Sequence, residues 1–105
     1  MKNPEVSEIL YKVADLLELL EENKFKFLAY RKAAQNIEGF SQDIESIYKS
    51  GDREALQNLP GIGKAIAEKI EEIIKTGKLK YLEDLKKKIP IDVDALMNIE
   101  GLGPK

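Results

Sequence analysis

Apolar residues recur at three- and four-residue steps from Val6 through Ile9, Leu10, Val13, Leu16, Leu17 and Leu20, the spacing of one face of an α-helix. With Asn3 as N-cap and Pro4 as first helical residue, this pattern predicts a helix over about 4–22. Glu22-Asn23-Lys24 interrupts the stripe, and a second helix over about 25–38 ends at Gly39. Ser41 is placed to cap a short third helix through Ile44, Ile47 and Tyr48, closed by Ser50-Gly51. Asp52 is placed to cap another from Arg53 to Gln57. Leu59-Pro60-Gly61-Ile62-Gly63 is too rich in Pro and Gly to be an element, but Lys64 to Lys75 is amphipathic at helical period and ends at Thr76-Gly77. A further helix over about 80–88 stops near Pro90, and Asp92 can cap a short turn through Met97. No stretch alternates with period two. The expected fold is all-α, a compact bundle of short helices with a helix, tight hairpin and helix at about 53–75. A βαβ unit is excluded.

The chain has 105 residues, 43% of them hydrophobic and 34% charged, which allows one compact domain, taken as 1–90, and no second full one. Ile99-Glu100-Gly101-Leu102-Gly103 repeats the apolar-x-Gly-apolar-Gly pattern of 59–63 without the helix that should follow it. Residues 91–105 are therefore expected to open a following domain with a truncated second hairpin, in a chain cut from a longer protein. Cysteine and histidine are both absent, which removes thiolate and imidazole ligands, nucleophiles and bases, and with them most zinc, haem and triad chemistry. Chemistry is left to Lys, Tyr, Asp and Glu. The N-terminus turns acidic at Glu5 rather than running into an apolar signal, and no apolar run approaches the roughly 20 residues of a membrane span. The expectation is an intracellular monomer with no membrane contact, cytoplasmic if the source is prokaryotic, the source favoured here.

Net charge is −2, and its distribution matters more than its size. Residues 1–50, 51–90 and 91–105 carry −2, +2 and −2. Lys24, Lys26, Arg31 and Lys32 fall in a stretch without acids, interleaved with Phe25, Phe27 and Tyr30, a cluster that can meet phosphate and is also the ordinary composition of a solvated helix edge. Gly61 and Gly63 flank Ile62, so the backbone there can take positive φ and approach another chain without a Cβ in the way, while Ile62 plugs the bundle. The amides of Gly63, Lys64 and Ala65 then sit at a helix N-terminus, where unpaired N–H groups and the dipole favour an anion.

Leu59-Pro60-Gly61-Ile62-Gly63-Lys64 followed by an amphipathic helix resembles the helix-hairpin-helix motif, which grips the sugar-phosphate backbone of DNA without reading bases. In hairpins of that kind, carbonyls before and inside the turn commonly hold a monovalent cation, K+ or Na+; by position these would be the carbonyls of Gln57, Leu59 and Ile62. The resemblance extends further. Ala29-Tyr30-Arg31-Lys32-Ala33-Ala34 and the long run from Leu59 to Glu72, followed by Thr76-Gly77-Lys78-Leu79, are similar to the N-terminal lyase domain of the DNA polymerase X family over about residues 5–105. The resemblance implies binding to gapped or nicked DNA at a 5′-phosphate, a repair role, and a polymerase domain C-terminal to this one.

In that family the lyase nucleophile is the lysine of the Ala-Glu-Lys-Ile run, here Lys69. On a wheel of ~100° per residue, Lys69 falls beside Ile73 at the edge of the apolar arc of Ile66, Ala67, Ile70, Ile73 and Ile74. An exposed lysine is neutral in roughly 1 molecule in 2,500 at pH 7, so partial burial would assist an amine meant to attack an aldehyde; the same position suits a lysine that only snorkels. The implied reaction needs no metal. Tyr30 matches a family tyrosine near the nucleophile and Lys26 a lysine of the 5′-phosphate pocket, whereas a pocket histidine and two pocket lysines fall on Phe25, Gln57 and Ala65. Lys64, one residue before Ala65, substitutes in part. Two readings follow: a lyase domain, or a binding module that docks a polymerase on DNA without chemistry.

Overall fold

The computed structural model describes residues 2–89, and among them the architecture is wholly helical: α1 (Asn3–Leu19), α2 (Lys24–Gly39), α3 (Ile44–Gln57), α4 (Lys64–Thr76) and α5 (Lys80–Lys87). The expected turn at Asp92–Met97 and the second glycine pattern at 99–103 lie outside the described residues. Val6, Leu10, Val13 and Leu17 of α1 are fully buried against Ala33, Ala34 and Ile37 of α2, and the core continues through Leu56, Ile70, Ile73 and Leu85. Packing of these amphipathic stripes, rather than propensity, is what holds such short helices. One buried polar group joins the first pair, the Ser7 hydroxyl donating to the Ala34 carbonyl at 3.0 Å.

The helix ends depart from the expected caps in ways that tie the elements together. Asn3 does not cap α1; Lys2 is the N-cap and Asn3 is already helical. The Asn3 side chain instead accepts from the Ile44 amide at 2.8 Å and donates to the Gln42 carbonyl at 2.8 Å, capping α3 from another helix. Ser41 consequently has no capping role, and Asp43 is the residue before α3. α1 ends at Leu19 rather than near 22. Glu21 takes φ of 57° while its amide bonds Glu18 O and that of Glu22 bonds Leu17 O, each at 3.0 Å, the Schellman arrangement with a glutamate where glycine usually sits. α5 is likewise capped from elsewhere, the Glu72 carboxylate of α4 accepting from the Lys80 amide at 2.8 Å.

The expected break between two short helices is present as a bend inside α3, where Gly51 (φ −142°, ψ 15°) and Asp52 (φ 57°, ψ −158°) leave helical geometry. Asp52 stands at the break but makes no side-chain capping bond. The bend turns Arg53 onto α4, where it pairs with Glu68 at 3.0 Å and Glu71 at 3.2 Å. The Tyr48 hydroxyl donates to Glu71 at 2.7 Å; that bond and the Arg53 charge hold the Glu71 carboxyl below its ordinary range. No helix among the described residues is long and apolar enough to cross a membrane.

Candidate nucleic-acid interface

α3 leads through Asn58 into a tight turn in which the Ile62 amide donates to the Leu59 carbonyl at 3.1 Å. Pro60 and Gly61 are its central residues, and Gly61 has φ of 77°. A proline followed by a left-handed glycine is the requirement of a type II turn. The Asn36 side chain of α2 donates to the Pro60 carbonyl at 2.8 Å and so pins the turn to the neighbouring helix. Ile62 is 4% exposed and belongs to the core, as a plug should. Gly63 differs from expectation: its φ of −87° and ψ of −178° are extended backbone, not positive φ. Only Gly61 needs glycine for its conformation. A Cβ at Gly61 would overlap Asn36 Nδ2, whereas one at Gly63 would meet nothing within 4 Å. The open side of the hairpin is therefore at Gly63.

Gly63 is the N-cap of α4 and brings no side-chain cap; the first helical bond runs from the Ala67 amide to the Gly63 carbonyl at 2.9 Å. The amides of Gly63, Lys64 and Ala65 precede that bond and point out of the helix end. They border a depression of about 380 Å³ whose other wall is α2, through Lys26, Ala29 and Tyr30. Six of the residues singled out by sequence, Lys26, Tyr30, Gly61, Gly63, Lys64 and Ala65, thus meet on one concave surface. Lys32 stands beside the turn rather than in the depression, its Cγ 3.6 Å from where a Cβ on Gly61 would lie. A larger open groove of about 660 Å³ at the far end, between the start of α1 and the α2–α3 loop, mixes Glu38, Asp43 and Glu45 with Lys2 and Lys49 and gathers no single charge.

Arg31 lies elsewhere. Its guanidinium bonds Asp15 at 3.0 Å and Glu18 at 2.9 Å on α1 and covers the Phe27 ring at 5.5 Å, so it braces the α1–α2 pair. Phe25 is 82% exposed at the start of α2. The Leu59 carbonyl accepts one bond and keeps a lone pair, and neither the Gln57 nor the Ile62 carbonyl accepts a backbone bond outside the helices. No cluster of acidic side chains that could hold a metal exists among the described residues.

Lys69 is half-buried at the border of the core, as its wheel position requires. Its ammonium lies 5.0 Å from the centroid of the Tyr81 ring of α5, and that of Lys26 lies 5.5 Å from the same centroid. Tyr30 stacks on Tyr81 at 6.0 Å with an interplanar angle of 30°. Burial, and secondarily the neighbouring Tyr81, push the Tyr30 phenol up to about 12. The Tyr81 hydroxyl is buried, and a polar neighbour among the described residues is the Lys26 ammonium, whose pKa the contact raises. Sequence reasoning missed Tyr81, because an aromatic beside the Leu79, Leu82 and Leu85 stripe reads as core and nothing local shows that two lysines from other helices converge on it.

The helix-hairpin-helix domain family matches residues 1–79, and a SAM-like helix-hairpin-helix tandem matches 54–105. The chain belongs to the helix-hairpin-helix domain family. It is 36% identical over 105 residues to the DNA polymerase/3′-5′ exonuclease PolX of Bacillus subtilis and 36% identical over 103 residues to DNA polymerase lambda of Arabidopsis thaliana, covering 100% and 97% of this chain. DNA polymerase lambda of Rattus norvegicus is 30% identical over 83 residues, 79% of this chain. The chain is therefore homologous to a segment of X-family DNA polymerases, and spans less than a fifth of the length of these curated relatives: 17%, 18% and 13%.

Proposed function

We propose that this domain docks a repair polymerase on gapped or nicked DNA by its sugar-phosphate backbone and 5′-phosphate, and that Lys69 gives it 5′-deoxyribose phosphate lyase activity. The observation that carries the reading is the single depression shared by the hairpin edge and α2, which sets the Gly63, Lys64 and Ala65 amides opposite Lys26 and Tyr30. Amides at a helix start and flexible ammonium groups recognise phosphate and carry no base code. A K+ or Na+ ion held by the Gln57, Leu59 and Ile62 carbonyls would add a positive charge at the same edge, bridging to a backbone phosphate.

In the lyase step the neutral Lys69 amine adds to C1 of the open-chain abasic sugar. Its proton passes to the carbonyl oxygen, and loss of water with one proton from solvent leaves a cationic imine. A base then removes a proton from C2, and the electron pair expels the phosphate from C3. A second reading, docking without chemistry, is favoured by Phe25, Gln57 and Ala65, which stand where the related lyase pocket carries a histidine and two lysines. Borohydride reduction on gapped DNA ending in 5′-deoxyribose phosphate separates the two. The lyase reading expects a covalent adduct that Lys69→Ala removes while DNA affinity stays within about twofold; no adduct from the unaltered domain leaves docking alone. Equal affinity for gapped, nicked and intact duplex would overturn docking at a 5′-end.

A further inference from the structure

Tyr81 is placed as no core aromatic needs to be. Its ring receives the Lys26 and Lys69 ammonium groups from two different helices, at 5.5 and 5.0 Å, and Tyr30 from α2 stacks beside it at 6.0 Å. Its hydroxyl is buried and, among the described residues, has the nearby Lys26 ammonium to interact with, an interaction that raises the Lys26 pKa. Leucine would fill an apolar border position without burying a hydroxyl. What the ring supplies and leucine cannot is a negative π face.

We propose that Tyr81 is a positioning residue for Lys69, holding its nitrogen toward the docked sugar and stabilising the positive charge that remains on that nitrogen in the imine. This rests on the amine chemistry proposed above. Two effects combine. A free lysine loses much rotamer freedom when fixed for reaction, and the ring contact restricts it beforehand. The charge effect is differential: a primary ammonium has three N–H groups for water, whereas the imine nitrogen has one and is covered by the sugar, so it depends more on the ring. Cation–π attraction strengthens as water is excluded, and only an interaction stronger in the intermediate than in the free enzyme speeds its formation. Proton and electron balance are those of the lyase step itself, since Tyr81 exchanges neither.

The test replaces Tyr81 with phenylalanine and with phenylalanines carrying one, two and three ring fluorines, which weaken the π face while keeping the ring's shape, and adds Tyr81→Leu. The rate of borohydride-trapped adduct is read beside thermal unfolding and affinity for gapped DNA lacking the sugar. At saturating gapped DNA, where a change of affinity through Lys26 does not enter the rate, Tyr81→Phe should trap within about twofold of the parent, the fluorinated series should fall stepwise, and Tyr81→Leu should trap about five- to thirtyfold more slowly. A flat fluorine series, or Tyr81→Phe as slow as Tyr81→Leu, overturns the role of the π face. Because the series preserves shape, it decides the question even where Tyr81→Leu does not fold. A parent domain that forms no adduct removes the amine chemistry and this role together; an adduct with a flat series removes this role alone.

Discussion

The two glycines of the hairpin should separate under alanine substitution, one failing in stability and the other in binding. Gly61→Ala forces a Cβ into left-handed backbone at φ of 77°, which costs about 1–2 kcal/mol. The same Cβ overlaps Asn36 Nδ2, and Asn36 can give way only by leaving the Pro60 carbonyl it holds at 2.8 Å, a further loss of about 1 kcal/mol. The sum, about 2–3 kcal/mol, corresponds to a melting temperature lower by about 10–20 °C for a domain of this size. Gly63→Ala meets neither penalty, because φ is −87° and nothing lies within 4 Å of the new methyl group; removing a glycine from extended backbone even favours folding slightly. That methyl group projects on the open side of the hairpin, where the proposed docking brings a phosphate to the α4 amides. Affinity for gapped DNA should fall at least about tenfold, ~1.4 kcal/mol. Thermal melts by circular dichroism and fluorescence-anisotropy titrations measure both quantities. Equal melting of the two variants refutes the conformational argument, and parental DNA affinity in Gly63→Ala refutes docking at this edge.

Arg31→Ala should lower stability by about 1 kcal/mol through its pairs with Asp15 and Glu18 and leave DNA affinity within about twofold; a large affinity loss by titration would put Arg31 in the interface. Glu21→Gly should stabilise the domain by about 1 kcal/mol in urea melts, because the Schellman position at φ of 57° suits glycine. Tyr30, with its pKa raised by burial from 10.0 to about 12, binds its proton more tightly folded than unfolded. Its contribution is full below pH 10 and is lost as pH rises from 10 to 12, on the order of 1–2 kcal/mol once solvent screening of a partly open phenol is allowed for. Urea melts across that range should show the loss, and Tyr30→Phe should remove this component.

The elements that could be read from sequence are those fixed by local chemistry. The 3.6-residue stripe of α1, the Gly77 stop of α4, with φ of 76°, and the Pro60-Gly61 turn each depend on residues within a few positions of one another. Illegible features depend on partners far along the chain. Asn3 looks like an N-cap and becomes one, but for α3, 41 positions away. Glu72 looks like an exposed helical acid and caps α5. Arg31 sits in a basic cluster by sequence, and α1 brings Asp15 and Glu18 to it. Tyr81 gives no local signal, because its significance lies in Lys26, Tyr30 and Lys69, which only packing of α2, α4 and α5 assembles.

A net charge of −2 is compatible with binding a polyanion only if acids and bases are sorted, and the two arginines show how. Arg31 and Arg53 are both spent on intramolecular acids, Asp15 and Glu18 for one, Glu68 and Glu71 for the other. Lysines are left for phosphate, with Lys26 and Lys64 lining the hairpin edge and Lys32 beside Gly61. If each neutralises one phosphate, the logarithm of affinity should fall with the logarithm of salt concentration at a slope of about −3. Lys64→Ala should reduce that slope by about one and weaken binding to all sequences alike. The amides of Gly63, Lys64 and Ala65 displace no counterion from the protein side and retain their share of affinity as salt rises. A slope near zero, or one unchanged in Lys64→Ala, would mean that phosphates do not lie over this edge, whatever the total affinity.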